Sequence, residues 1–234
     1  ISIEKGKRVH NIIFISGLAI LILSNWMIAI LVLCIYFLWG IGYNHKPFMW
    51  KKTPNIGLFV NSLVGVLLFI IGWLLNSNIY SDCDISPISI ETFSYMLPYI
   101  LCFSSVTILT TIPDIKGDSF DEARTFSIVY GFNTSLLISL LMIILALYIS
   151  LEHLDPLAST SIIVSIPFFL VAFIRRLQKD IIRAIRYPIF ILNFFVIPYY
   201  PWLLLPLFCI FYLSKYYYWH RFDLHYPTLL VEND

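Results

Sequence analysis

The sequence predicts an all-α fold, a polytopic transmembrane helical bundle, and three observations carry that reading. Of 234 residues, 59% are hydrophobic and only 12% are charged, well below the roughly 25% charged share of an ordinary soluble domain. The apolar residues gather into runs of about 20, the length that crosses a hydrocarbon layer about 30 Å thick. The segmentation those runs impose also places every basic residue on one membrane face. A soluble globular domain and a disordered chain are both excluded. With a net charge of +1 and no basic stripe outside the loops, the chain lacks an electrostatic footprint for DNA or RNA, so no nucleic-acid partner is expected.

About eight helical segments follow, read as one transmembrane domain over 1–234. The first, 5–24, opens on Lys5, Lys7 and Arg8 and continues past signal-peptide length. Only Ser24-Asn25 separates it from the second, 26–43, which predicts a tight antiparallel hairpin. After a loop containing Pro47 and Pro54 come 55–76 and 91–112, then 125–150 and 158–174. The last two, 178–198 and 201–218, are joined by a Pro198-Tyr-Tyr-Pro201 turn. Ile1 rather than Met stands first, and the chain is expected to be the later part of a longer protein.

Loops between such helices alternate between the two membrane faces. One face receives Lys5, Lys7 and Arg8, then Lys46, Lys51 and Lys52, then Lys116 and Arg124, then Arg175, Arg176, Lys179, Arg183 and Arg186, and finally Lys215 and Arg221, all 15 Lys and Arg residues. The other face holds only acids: Asp82, Asp84, Glu91, Glu152 and Asp155. By the positive-inside rule the basic face is cytoplasmic, which in a bacterium means the inner (plasma) membrane. Trp50, Trp202, Trp219 and Tyr216 to Tyr218 fall near segment ends and read as anchors in the headgroup layer. Cys34, Cys83, Cys102 and Cys209 show no ligand or redox spacing and count as small hydrophobes.

Chemistry concentrates in one cytoplasmic connection, Thr110 to Thr125, where Asp114, Asp118, Asp121 and Glu122 put four carboxylates into nine positions. Like charges repel, so such clustering suits a bound cation. Asp114 and Asp118, spaced i and i+4, share one face of a helical turn. Hard oxygen ligands suit Mg²⁺, which is usually held by one or two carboxylates together with substrate phosphates. The spacing therefore points to a diphosphate bridged by metal, with a solvated acidic loop as the alternative. Gly117 would allow close approach of a ligand, and Pro113 would end the preceding helix. A second loop on the same face, Tyr43 to Pro54, supplies Lys51 and Lys52 as phosphate partners, although ordinary positive-inside topology also accounts for them. Asn61 and Asn133, about 10 Å below the loops at 1.5 Å per residue, Asn193, and Thr107, Thr110 and Thr111 either line a cavity or join helices.

At these residues the sequence resembles the UbiA superfamily of intramembrane prenyltransferases. Its second aspartate-rich motif, approximately D-x-x-G-D-x-x-x-G-x-x-T followed by a hydrophobic residue and a later glycine, is matched by Asp114, Gly117, Asp118, Thr125 and Gly131. Tyr43, Pro47 and Lys51 fall on the family's Y-S-x-P-P-x-x-L-K segment, and Asn61, Gly65, Gly72 and Trp73 fit the helix that follows. Glu122 stands where many members have glycine. The family's first motif, about N-D-x-x-D-x-x-x-D, is not in these residues and is expected upstream of Ile1, after two further helices. The last helix and the Arg221 to Pro227 tail look like additions.

The resemblance implies a bundle whose cytoplasmic mouth binds Mg²⁺ and a prenyl diphosphate and transfers the prenyl group to an aromatic, quinone-precursor-like or lipid acceptor within the bilayer. It implies Asp114 and Asp118 as metal ligands, with Asp121 and Glu122 as auxiliary ligands. Lys51 and Arg124 would be partners of the diphosphate, Lys51 and Tyr43 would count among the catalytic groups, Tyr43 and Asn61 would stand at the cavity rim, and Asn61, Lys116, Arg124 and Asn133 would bind substrate. The rival readings are a small-molecule transporter and a non-catalytic membrane binding protein. Against transport, no pair of Gly/Pro-interrupted helices recurs in related halves, and the acids crowd at one rim.

Overall fold

Residues 3–79 and 89–224 are described by the computed structural model, so Asp82, Cys83 and Asp84 and the tail after residue 224 lie outside the described residues. Among the described residues every regular element is helical. The chain divides into two units, Ile1–Thr92 and Phe93–Asp234.

In the first unit, α1 (Ile3–Ser24) and α2 (Trp26–Ile35) are separated by Asn25 alone. Its backbone is extended and its side-chain oxygen accepts the N–H groups of Met27 (3.0 Å) and Ile28 (3.2 Å), the capping that starts a new helix. Phe14 meets Tyr36 at a ring separation of 4.4 Å. These residues lie equally far from Asn25 along the chain, as the antiparallel hairpin predicted from Ser24-Asn25 requires. α2 runs into a π-helical stretch, Tyr36–Gly42, and a 3₁₀ turn, Trp50–Lys52, leads into α3 (Pro54–Ile79). Pro54 stands at the first position of α3, where its missing N–H is not needed.

The second unit holds α4 (Ile90–Thr110), the short α5 (Ile115–Phe120) and α6 (Phe126–Tyr130), then α7 (Phe132–Glu152), α8 (Pro156–Arg175), α9 (Gln178–Val196) and α10 (Leu204–Phe222). Leu109, Leu136, Ile143, Ile162, Phe169 and Ile181 belong to its buried core. In lipid, helices are not driven together by leaving water, so small residues and interhelical hydrogen bonds matter more. Ser105 Oγ donates to the Ser139 carbonyl (2.8 Å) while Ser139 Oγ donates to the Ser105 carbonyl (3.1 Å), clasping α4 to α7. Asp155 caps α8 through the N–H groups of Leu157 and Ala158, both at 3.0 Å, and accepts the Tyr99 hydroxyl at 2.8 Å. At the turn from α8 to α9, buried Asp180 sits between Arg175 (3.3 Å) and Arg183 (3.0 Å). Two of the arginines attributed to topology thus also neutralise a buried carboxylate.

Five of the described helices are long and apolar enough to cross a membrane: Glu4–Ser24, Pro54–Leu75, Ile90–Thr110, Phe132–Glu152 and Pro156–Arg175. Trp26–Gly42 is apolar but shorter, and α9 carries Lys179, Asp180, Arg183 and Arg186 in its first half. The fifth predicted segment, 125–150, is not one helix. Gly131 breaks it into α6 and α7 with φ 87° and ψ 159°, a conformation essentially reserved for glycine.

Candidate functional site

The acidic connection is built by the way α4 stops. Pro113 has no N–H with which to continue the ladder. The Thr111 and Ile112 N–H groups instead close tight turns onto Ile108 and Leu109, both at 3.1 Å. Asp114 follows, and its carbonyl accepts the Asp118 N–H at 2.8 Å. One helical turn therefore separates the two aspartates, as their i, i+4 spacing predicts. Asp114 as a residue is exposed, yet its carboxyl is partly shielded. That shielding, and after it the charge of Asp118, pushes the Asp114 carboxyl above its ordinary pKa. Gly117 keeps helical backbone, so no unusual turn requires it. The space a Cβ would fill is open, which leaves room beside both aspartates.

The other acids are placed differently. α5 ends at Phe120, Asp121 caps it, and Glu122 adopts a left-handed backbone with φ 53°. Both are exposed, as are Lys116 and Arg124. Among the described residues no three His, Cys, Asp or Glu side chains converge to hold a metal ion. The donor set is a pair of carboxylates on one turn, which fits Mg²⁺ shared with phosphate oxygens rather than an all-protein cage.

Behind this connection lies a hydroxyl chain. Thr111 Oγ1 meets Ser127 Oγ at 2.6 Å, Ser127 donates to Ser135 Oγ at 3.1 Å, and Ser135 donates to the Gly131 carbonyl at 2.9 Å. It ties the end of α4 to α6 and α7. Thr107 and Thr110 bond the carbonyls of Phe103 and Thr107, so these threonines close onto their own helix. The Thr125 hydroxyl oxygen is buried with no hydrogen-bond partner among the described residues. Asn133, expected well below the loops, is exposed in the first turn of α7 because Gly131 restarts the helix just before it. Asn193 donates to the Ile189 carbonyl at 2.7 Å.

The first unit positions Tyr43 and Lys51. Tyr43 ends the π-helical stretch and its N–H donates to the Leu38 carbonyl at 2.8 Å. Such stretches are rare and recur at functional sites. The Tyr43 carbonyl accepts the Lys51 N–H at 3.3 Å, and the Lys51 side chain is exposed. A side chain at Gly42 would overlap the Trp50 ring, and Phe48 lies 5.4 Å from that ring. Trp50 is therefore half-buried in its own loop. Asn61 is engaged on both sides, accepting the Trp39 indole N–H at 2.8 Å and donating to the Tyr43 hydroxyl at 3.3 Å.

The hydroxyl chain and the Trp39 contact escape sequence reasoning because each joins residues distant in the chain, and the π-helical stretch escapes it because no spacing of side chains announces its i→i+5 bonds. The break at Gly131 carried a signal, the final glycine of the aspartate motif, and so did Glu122 at the motif's other glycine position. No curated protein and no solved structure matches this chain. The sequence model of the UbiA prenyltransferase family matches residues 1–194, ending within α9 and leaving α10 outside. That match covers most of the 234 residues, and the chain belongs to the UbiA prenyltransferase family, a family of membrane prenyltransferases.

Proposed function

We propose that the protein transfers an isoprenyl group from a prenyl diphosphate to an aromatic, quinone-precursor-like or lipid acceptor, with Mg²⁺ as cofactor and the acidic connection on the cytoplasmic face of the membrane. The observation that carries this reading is the Asp114 and Asp118 pair on one helical turn, joined by the Asp118 N–H donating to the Asp114 carbonyl at 2.8 Å. Asp114 and Asp118 would hold the metal, with Asp121 or Glu122 assisting. When bound, Mg²⁺ would offset the charge that grows on departing pyrophosphate.

The remaining roles fall to the chain's own groups. In the first unit, Lys51 offers a point charge and Tyr43 a hydroxyl donor to phosphate oxygens. In the second, Lys116 and Arg124 flank the aspartates and add positive charge, and Asn133 contacts substrate. Once the diphosphate leaves, an allylic cation remains on the prenyl group. Apolar surroundings that exclude water preserve that cation until the acceptor attacks it and the replaced acceptor hydrogen leaves as a proton, to the released pyrophosphate or to solvent.

Asp114→Ala and Asp118→Ala, tested separately, are expected to abolish Mg²⁺-dependent transfer of labelled prenyl diphosphate in membranes while leaving insertion intact. Full turnover in both variants would overturn the mechanism.

A further inference from the structure

Tyr43 is held at its N–H, its carbonyl and its hydroxyl, and the third hold has a direction. An indole N–H donates and cannot accept. The Trp39 N–H therefore fixes which end of the Asn61 amide it faces: Oδ1 accepts it at 2.8 Å. The amide nitrogen is left toward Tyr43, where it donates to the hydroxyl oxygen at 3.3 Å. With a donor already on its oxygen, that hydroxyl turns its own proton away from Asn61. A reversed amide would oppose two donors at Trp39 and draw the Tyr43 proton back onto Oδ1.

We propose that Trp39 and Asn61 are positioning residues that turn the Tyr43 hydroxyl proton away from Asn61 and leave it for a phosphate oxygen of the diphosphate. The inference rests on the prenyl-diphosphate reading above and deepens it, moving Asn61 from substrate contact to support. The same element governs Lys51, whose backbone N–H is bonded to the Tyr43 carbonyl at 3.3 Å. An exposed ammonium and an oriented hydroxyl on one loop are donors suited to a phosphate. Asn61 itself has no need to touch the ligand.

The test is the dissociation constant of the full-length protein in lipid nanodiscs for pyrophosphate with Mg²⁺, read by calorimetry. Tyr43→Phe is expected to weaken binding about tenfold, the range of one hydrogen bond to a charged group. Asn61→Ala should match it, and Trp39→Phe should lose about threefold. Asn61→Ala placed on Tyr43→Phe should add nothing, since a residue acting only through Tyr43 has nothing left to act through. Additive losses would overturn the proposal, as would an Asn61→Ala protein that binds normally while Tyr43→Phe does not. Thermal unfolding of each variant identifies one that fails to fold. If Asn61→Ala does so, Trp39→Phe alone and on Tyr43→Phe gives the same cycle. Binding that is lost in Asp114→Ala and untouched by Tyr43→Phe overturns this inference alone. A wild-type protein that binds no pyrophosphate overturns the diphosphate reading and this inference with it.

Discussion

Glu122 and Asp114 show how differently two nearby acids are treated by the backbone. Asp114 sits on the helical turn it shares with Asp118, where its carboxyl is shielded and repelled. Glu122 sits beyond the helix at φ 53°, where a side chain is disfavoured by about 1 kcal/mol and glycine is not. That is the motif position where many UbiA sequences carry glycine, and the conformation supplies the physical reason. Glu122→Gly is therefore expected to raise the stability of the detergent-solubilised protein by about 0.5–1 kcal/mol, measured by thermal unfolding. The same variant separates two views of the carboxylate. A severalfold loss of Mg²⁺ affinity alongside the stability gain would support an auxiliary ligand, and unchanged affinity would remove Glu122 from the ligand set.

Between α6 and α7, Gly131 combines φ 87° with ψ 159°, and no atom lies within 4 Å of the place a Cβ would occupy. Any penalty for Gly131→Ala thus comes from the backbone alone, about 1–3 kcal/mol. It should appear as a lowered unfolding temperature, with faster amide exchange in α6 if the hydroxyl chain through Ser127 and Ser135 loosens. An unchanged transition would mean that the joint relaxes freely. This joint also marks where sequence reasoning stops. Apolar runs and turn residues located the long helices, and the Asn25 hairpin came out as the sequence predicts. Hydropathy does not register Gly131, because the apolar run continues across it, so the restart that puts Asn133 in the first turn of α7 is not legible in the sequence. For the site the same division holds. Asp114 and Asp118 were legible because an i, i+4 relation is local. The pairing of Trp39 with Asn61 spans 22 residues and follows from how a π-helical stretch turns Trp39, which no spacing rule contains.

At the scale of the whole chain, the part within the family match and the part beyond it differ in how they are held. α7, α8 and α9 share a buried core that includes Ile143, Ile162 and Ile181, and a buried carboxylate with two arginines closes the α8 to α9 turn. α10 buries none of its residues. Contacts made inside that helix include the Tyr216 ring tilted against His220 at 4.0 Å and Arg221 over the rings of Tyr217 and Phe222, each at 5.7 Å. An apolar helix so exposed suits acyl chains, and its aromatic end suits the headgroup layer. The donor chemistry proposed here lies in residues 43–133, all before α9 begins. A chain ending after Tyr200 removes the second 3₁₀ turn, Pro201–Leu203, and α10 without cutting the shared core. It is expected to insert, to resist alkaline extraction from membranes, and to retain prenyl transfer, since it removes no residue of the shared core and none of the proposed donor-binding residues. Transfer and extraction should be measured on the same membranes. If insertion persists and transfer disappears, α10 contributes to substrate binding or to the lipid seal. If transfer persists, α10 is an accessory to a reaction carried by the helices before it.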